Sequence, residues 1–106
     1  MKKLALILLI LCKITTVYAI EQFEIKIKNH KFIPSTFEFA AGKKIKLIVE
    51  NQDNTPEEFE SHDLNQEKII LGKKKAVFLI GPLKPGKYNF FGEFNPKTAQ
   101  GVIIVK

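Results

Sequence analysis

The sequence predicts an all-β sandwich, and three observations carry that expectation. Apolar and polar residues alternate with period two over most of the chain beyond residue 20. Turn-forming clusters recur roughly every 8 to 12 residues, the spacing of short antiparallel strands. No stretch long enough for a helix shows a convincing 3.6-residue period.

Taken in order, Phe23, Ile25 and Ile27 stand against Glu24, Lys26 and Lys28, the signature of a half-buried strand. Phe37 and Phe39 continue the alternation into a turn at Ala40-Ala41-Gly42, after which Ile45, Leu47 and Val49 alternate with Lys44, Lys46 and Glu50. The polar run 51–56 reads as a loop, and 56–66 has room for a helical turn. Phe59, then Ile69-Ile70-Leu71, then 76–80 supply further strands. Gly81-Pro82-Leu83-Lys84-Pro85-Gly86 forces a turn, because proline fixes φ and glycine allows positive φ. Tyr88, Phe90 and Phe91 form the next strand and 102–105 the last, giving about seven or eight in all. A long edge strand at 43–50 would support a homodimer.

The first nineteen residues are of another kind. Two lysines, an apolar run over 4–12 and Val17-Tyr18-Ala19 read as a cleavable secretory signal peptide, 1–19, leaving a single domain over 20–106. That run is far short of the roughly 20 apolar residues a spanning helix needs, so no membrane insertion is expected after cleavage. Cleavage would discard the only cysteine, Cys12, and would halve the net charge, from +6 to +3. All 17 basic residues are lysine, so bidentate guanidinium recognition of phosphate or guanine is excluded. The lysines are scattered over many strands, and nucleic-acid binding is not expected.

No Gly-x-Ser-x-Gly, phosphate-cradling glycine loop or cysteine nucleophile occurs in the domain, so the chain is not expected to be an enzyme. The concentrated chemistry lies in Glu57-Glu58-Phe59-Glu60-Ser61-His62-Asp63, with Glu67 just beyond. If Phe59 points into the core, Glu58 and Glu60 share the opposite face about 7 Å apart, close enough to hold a cation between them. A lysine or a metal would neutralise them, and a solvated acidic loop is the plain alternative. His30 ends the first strand, and Glu93 lies among aromatics near a strand end. Carboxylates with an imidazole suit iron, manganese, zinc or Cu(II).

His30-Lys31-Phe32-Ile33-Pro34, the Ala41-Gly42 turn, Val49-Glu50-Asn51-Gln52-Asp53, Leu83-Lys84-Pro85-Gly86-Lys87-Tyr88 and Gly101-Val102-Ile103-Ile104-Val105 follow one another in an order that resembles a cupredoxin-like domain. The resemblance implies a Greek-key β-sandwich. In blue-copper members the ligands would fall at Glu57 or Glu58, at Gly92, at Asn95 and in the region of Thr98-Ala99-Gln100, so every ligand of the electron-transfer copper is replaced. A type 1 copper centre is therefore not expected.

A narrower likeness rests on Thr55-Pro56-Glu57-Glu58-Phe59-Glu60-Ser61, on Asp63-Leu64 with Glu67-Lys68, and on Gly92-Glu93-Phe94-x-Pro96-x-Thr98-Ala99-x-Gly101. It is to the small periplasmic cupredoxin-like proteins associated with bacterial high-affinity iron permeases. That resemblance implies a periplasmic protein binding an iron or copper ion through Glu58 and Glu60, completed by His30 and Glu93, with an inner-membrane iron permease as partner. Relatives commonly carry histidine where Asn95 stands, which favours a harder ion here. The competing reading is a metal-free interaction domain docking on a permease or another periplasmic partner.

Overall fold

The computed structural model describes residues 20–106; the segment 1–19, expected to be a signal peptide, and Cys12 lie outside the described residues. The chain forms nine strands: β1 (Glu21–Lys28), β2 (Lys31–Ile33), β3 (Thr36–Phe39), β4 (Ile45–Asn51), β5 (Glu57–Ser61), β6 (Gln66–Ile70), β7 (Lys75–Ile80), β8 (Gly86–Gly92) and β9 (Gln100–Val105). They build two sheets, in the orders β2-β1-β4-β7 and β3-β9-β8-β5-β6. Both are mixed, since β1 pairs parallel to β4 and β3 parallel to β9. The strand beyond the expected eight is β2, three residues that fold back antiparallel on β1.

Two local expectations are corrected. The segment 56–66 holds no helical turn: Glu57–Ser61 is a strand, paired to β6 on one side and β8 on the other. Nor is 43–50 an edge, because β4 lies between β1 and β7 with both flanks hydrogen-bonded. The edges are β2 and β7 in one sheet and β3 and β6 in the other, so β4 offers no free strand for a second copy.

The alternation read from the sequence defines the core. Ile25, Ile27, Ile45, Leu47, Val49, Phe78 and Ile80 of one sheet face Phe39, Phe59, Ile70, Phe90, Ile103 and Val105 of the other, all buried. Phe59 is the hub, with ring centroids 4.7 Å from Phe78, 5.3 Å from Phe90 and 6.0 Å from Phe32, within the range of favourable aromatic pairing. This contact fixes which way β5 faces, and with it the acidic residues on either side of Phe59.

Side-chain bonds from the sequence motifs pin the loops. Buried Asn51 donates through Nδ2 to the carbonyls of Thr55 and Ile70 and accepts from the Asp53 amide through Oδ1. The Asp53 carboxylate in turn accepts from the amides of Asn29 (2.8 Å) and His30 (2.9 Å), two residues at positive φ in the β1–β2 turn. Positive φ is unfavourable for side-chain-bearing residues, and these bonds offset that cost. The Tyr88 hydroxyl donates to the Lys84 carbonyl at 2.7 Å and closes the turn before β8. Ser61 Oγ donates to the Asn89 carbonyl, and Asp63 accepts from the Asn89 amide, fastening the β5–β6 turn to β8.

Candidate metal site

Strand β5 alternates buried and half-buried residues along Glu57–Ser61. Phe59 points inward, so Glu58 and Glu60 share the outer face. The register of the β5–β6 hairpin sets Glu67 directly opposite Glu60. Glu58, Glu60 and Glu67 each bring a carboxylate oxygen to within 4.8 Å of the others. On the other flank the Glu93 amide donates to the Glu58 carbonyl at 2.9 Å, continuing the β5–β8 pairing by one residue and setting Glu93 beside the group.

The electrostatics follow from this crowding. A hydrogen bond shared with Glu67, then desolvation, then the charges of Glu67, Glu60 and Glu93 push the Glu58 carboxyl up to about 7. Glu60 is raised as well, by desolvation and by the charges of Glu93 and Glu67, against the opposing influence of His62. His62 Nε2 lies 3.7 Å from Glu60 Oε1, with its ring beside Phe91. The lysine ion pairs among the described residues, Lys43 with Glu21 and Lys106 with Glu38, leave these carboxylates without a lysine partner. Several acids that raise one another's proton affinity, with no lysine partner among the described residues, offer oxygen donors that could hold a hard or borderline ion.

Of the residues singled out in the sequence, Glu58 and Glu60 come together and Glu93 joins their flank. His30 sits in the β1–β2 turn of the other sheet, with Nδ1 3.7 Å from Asp53 Oδ2. Glu67 was visible only as an acid near the motif, because its place opposite Glu60 depends on the length of the intervening turn.

The inner side of the same strand end is a different environment. Glu57, 2% exposed, lies where Gly92, Asn95 and Ala99 converge. Its Oε2 accepts from Asn95 Nδ2 at 2.8 Å, and its Oε1 accepts from the amides of Phe94 at 2.9 Å and Glu58 at 3.0 Å. A Cβ at position 92 would meet Glu57 Cδ at 2.6 Å and Ala99 Cβ at 2.7 Å.

A model of the cupredoxin-like domain matches residues 3–105, so the chain belongs to the cupredoxin-like domain family. An uncharacterized protein of Rickettsia prowazekii (strain Madrid E) is 51% identical over 84 residues, 79% of this chain and 67% of the relative. Among solved structures, auracyanin A, a "blue" copper protein from Chloroflexus aurantiacus, superposes with a TM-score of 0.72 at 11% identity, covering 83% of this chain and 100% of that one. The metal binding domain of the Cu(I) exporting P-type ATPase CopA of Streptococcus pneumoniae, solved with Cu(I), gives 0.69 at 15% identity, covering 80% and 84%. At these identities the likeness shows the fold alone.

The residues here do not fit a type 1 copper. Such a centre needs a thiolate with two imidazoles. Positions 92 and 95 carry Gly and Asn, and the space they border is filled by the Glu57 carboxyl with each oxygen already bonded.

Proposed function

We propose that this protein is a secreted, periplasmic metal-binding module that captures an iron or copper ion at the outer face of β5 and has no turnover of its own. The observation that carries the reading is the convergence of Glu58, Glu60 and Glu67 with no lysine among the described residues to neutralise them. Carboxylate oxygens favour Fe(III), Fe(II), Mn(II) and, with a neighbouring imidazole such as His62, Cu(II). Iron uptake, with delivery to an inner-membrane permease, is supported by the Glu57-Glu58-Phe59-Glu60 and Gly92-Glu93-Phe94 motifs and by the signal-like start of the chain. Calorimetric titration of chelator-stripped protein with Cu(II), Mn(II) and Fe(III) citrate tests it. Stoichiometric binding that is lost in Glu58→Gln/Glu60→Gln is the expected result, and binding unchanged by the double substitution would contradict the assignment.

A second reading, a metal-free docking domain, is favoured by one observation. Ile69, opposite Glu58 on β6, and Phe94, next to Glu93, are 55% and 46% exposed, which puts apolar surface beside the carboxylates. Retention of a periplasmic partner in chelator, by both the parent and the double variant, would favour it.

A further inference from the structure

The outer carboxylates repel one another, and Glu93 is the one carried by a loop, the segment 93–99 between β8 and β9. Its backbone is tied to β5 by one bond at the end of a ladder, from the Glu93 amide to the Glu58 carbonyl, and its side chain shares a hydrogen bond with Glu60. Repulsion from Glu58, Glu60 and Glu67 acts to open that end. The next two residues are held from the opposite side of the strand: the Phe94 amide and Asn95 Nδ2 both donate to the buried carboxyl of Glu57. Bonds to a buried carboxylate are among the stronger hydrogen bonds a fold contains. The loop is stiffened further by its own turns, in which the Asn95 amide donates to the Gly92 carbonyl and the Ala99 amide to the Asn95 carbonyl. Gly92 is what lets the carboxyl lie across the strand end, since any Cβ there would collide with it.

We propose that Glu57 is a positioning residue: from inside the sandwich it anchors residues 94–95, and so sets Glu93 against Glu58 and Glu60 on the outside. Its importance for metal capture rests on the reading given above; the anchoring itself does not. Glu57→Gln keeps one acceptor oxygen for the two amides and meets the Asn95 side chain once that amide turns over, whereas Glu57→Ala removes the anchor.

The test is titration of the protein with Mn(II), together with amide hydrogen exchange at Glu93 and Phe94, in the parent, E57Q and E57A. E57Q should bind within about threefold of the parent, and E57A about tenfold or more weaker, the usual cost of losing a group that orients a metal ligand. In E57A exchange should accelerate at Glu93 and Phe94 by more than at Leu47 and Val49 of β4, where only the lost global stability acts. E57A binding Mn(II) as the parent does while Phe94 exchanges freely would overturn the proposal. So would E57Q losing as much affinity as E57A with Phe94 still protected, because Glu57 would then act through its charge. If the parent binds no Mn(II), the metal reading fails by itself, and unchanged Phe94 exchange in E57A would separately overturn the anchor. Should E57A not fold, Asn95→Ala removes one of the three bonds and should give a smaller loss, about threefold, with the same exchange pattern.

Discussion

Strand β5 carries carboxylates on both faces, and the two faces treat them in opposite ways. Glu57 is buried and accepts three hydrogen bonds, two of them from a loop 37 and 38 residues away in sequence. Glu58, its neighbour, faces outward among three other acids and holds its proton up to about 7. One group is satisfied by amide donors, while the other shares a proton with a second acid and has no lysine partner among the described residues. Strand alternation produces this division, since adjacent residues on a strand face opposite sides of the sheet. A chemical need on one face is therefore compatible with a structural tie on the other.

The sharpest way to break the contrast is to remove each side separately. Glu58→Gln/Glu60→Gln should weaken Cu(II) and Mn(II) binding by a hundredfold or more, about 3 kcal/mol, while leaving thermal stability equal or higher. Glu57→Ala should do the reverse to stability, costing about 2–3 kcal/mol in denaturant unfolding because buried donors lose their acceptor. If both variants affected stability alike, the distinction between the two faces would be gone.

Gly92→Ala sharpens the inner side. The added methyl meets Glu57 and Ala99 and should cost about 1–3 kcal/mol, the range for overpacking a core. The Glu57→Ala/Gly92→Ala double variant should be less destabilised than the sum of the two, as expected for groups competing for one space. Strict additivity in urea unfolding would show that they do not share it.

On the outer side, pH separates stability from binding. Glu58 moves from 4.5 to about 7 on folding, so between those values the folded protein holds the extra proton. Its stabilising contribution is fully present below about pH 4.5 and lost as pH rises through about 7. The melting temperature of metal-free protein should fall between pH 5 and pH 8, and less so in Glu58→Gln. Metal binding should run the other way, strengthening as pH rises through 7, because the ion displaces that proton.

The smallest effect is expected at Asp53, whose carboxylate holds the β1–β2 turn of the other sheet. Burial acts to raise its pKa, but the amides of His30 and Asn29, with the charges of His30 and Lys73, outweigh it and hold the carboxyl below 3.8. That contribution is present above the unfolded value and is lost as pH falls through the lowered one. Asp53→Ala should cost about 1–2 kcal/mol of stability through the β1–β2 turn, with metal affinity unchanged.

Much of this was legible in the sequence, for local reasons. The period-two pattern located eight strands, and Phe59 fixed the shared face of Glu58 and Glu60 because strand geometry alone determines it. What escaped depended on register or distance. The place of Glu67 follows from the β5–β6 pairing, in which Glu60 stands opposite it. Strand β4 looked like an edge because its parallel partner β1 lies across a long connection that leaves no local mark. Strand β2 is only three residues long and carries too little pattern to separate it from β1. The same alternation that put Glu58 outside implied that Glu57 goes inside, but its partners, Phe94 and Asn95, belong to a distant loop.

The most direct test of the account is an anomalous difference map from crystals of the protein soaked in Mn(II). The account predicts one strong peak coordinated by the side chains of Glu58, Glu60 and Glu67 on the outer face of β5, with the Glu57–Asn95 hydrogen bond intact beside it. A peak at Glu57 and Asn95 would contradict it by moving the site to the interior. No peak at the carboxylates, with Ile69 and Phe94 seated against another protein in a pull-down, would give that face to a partner.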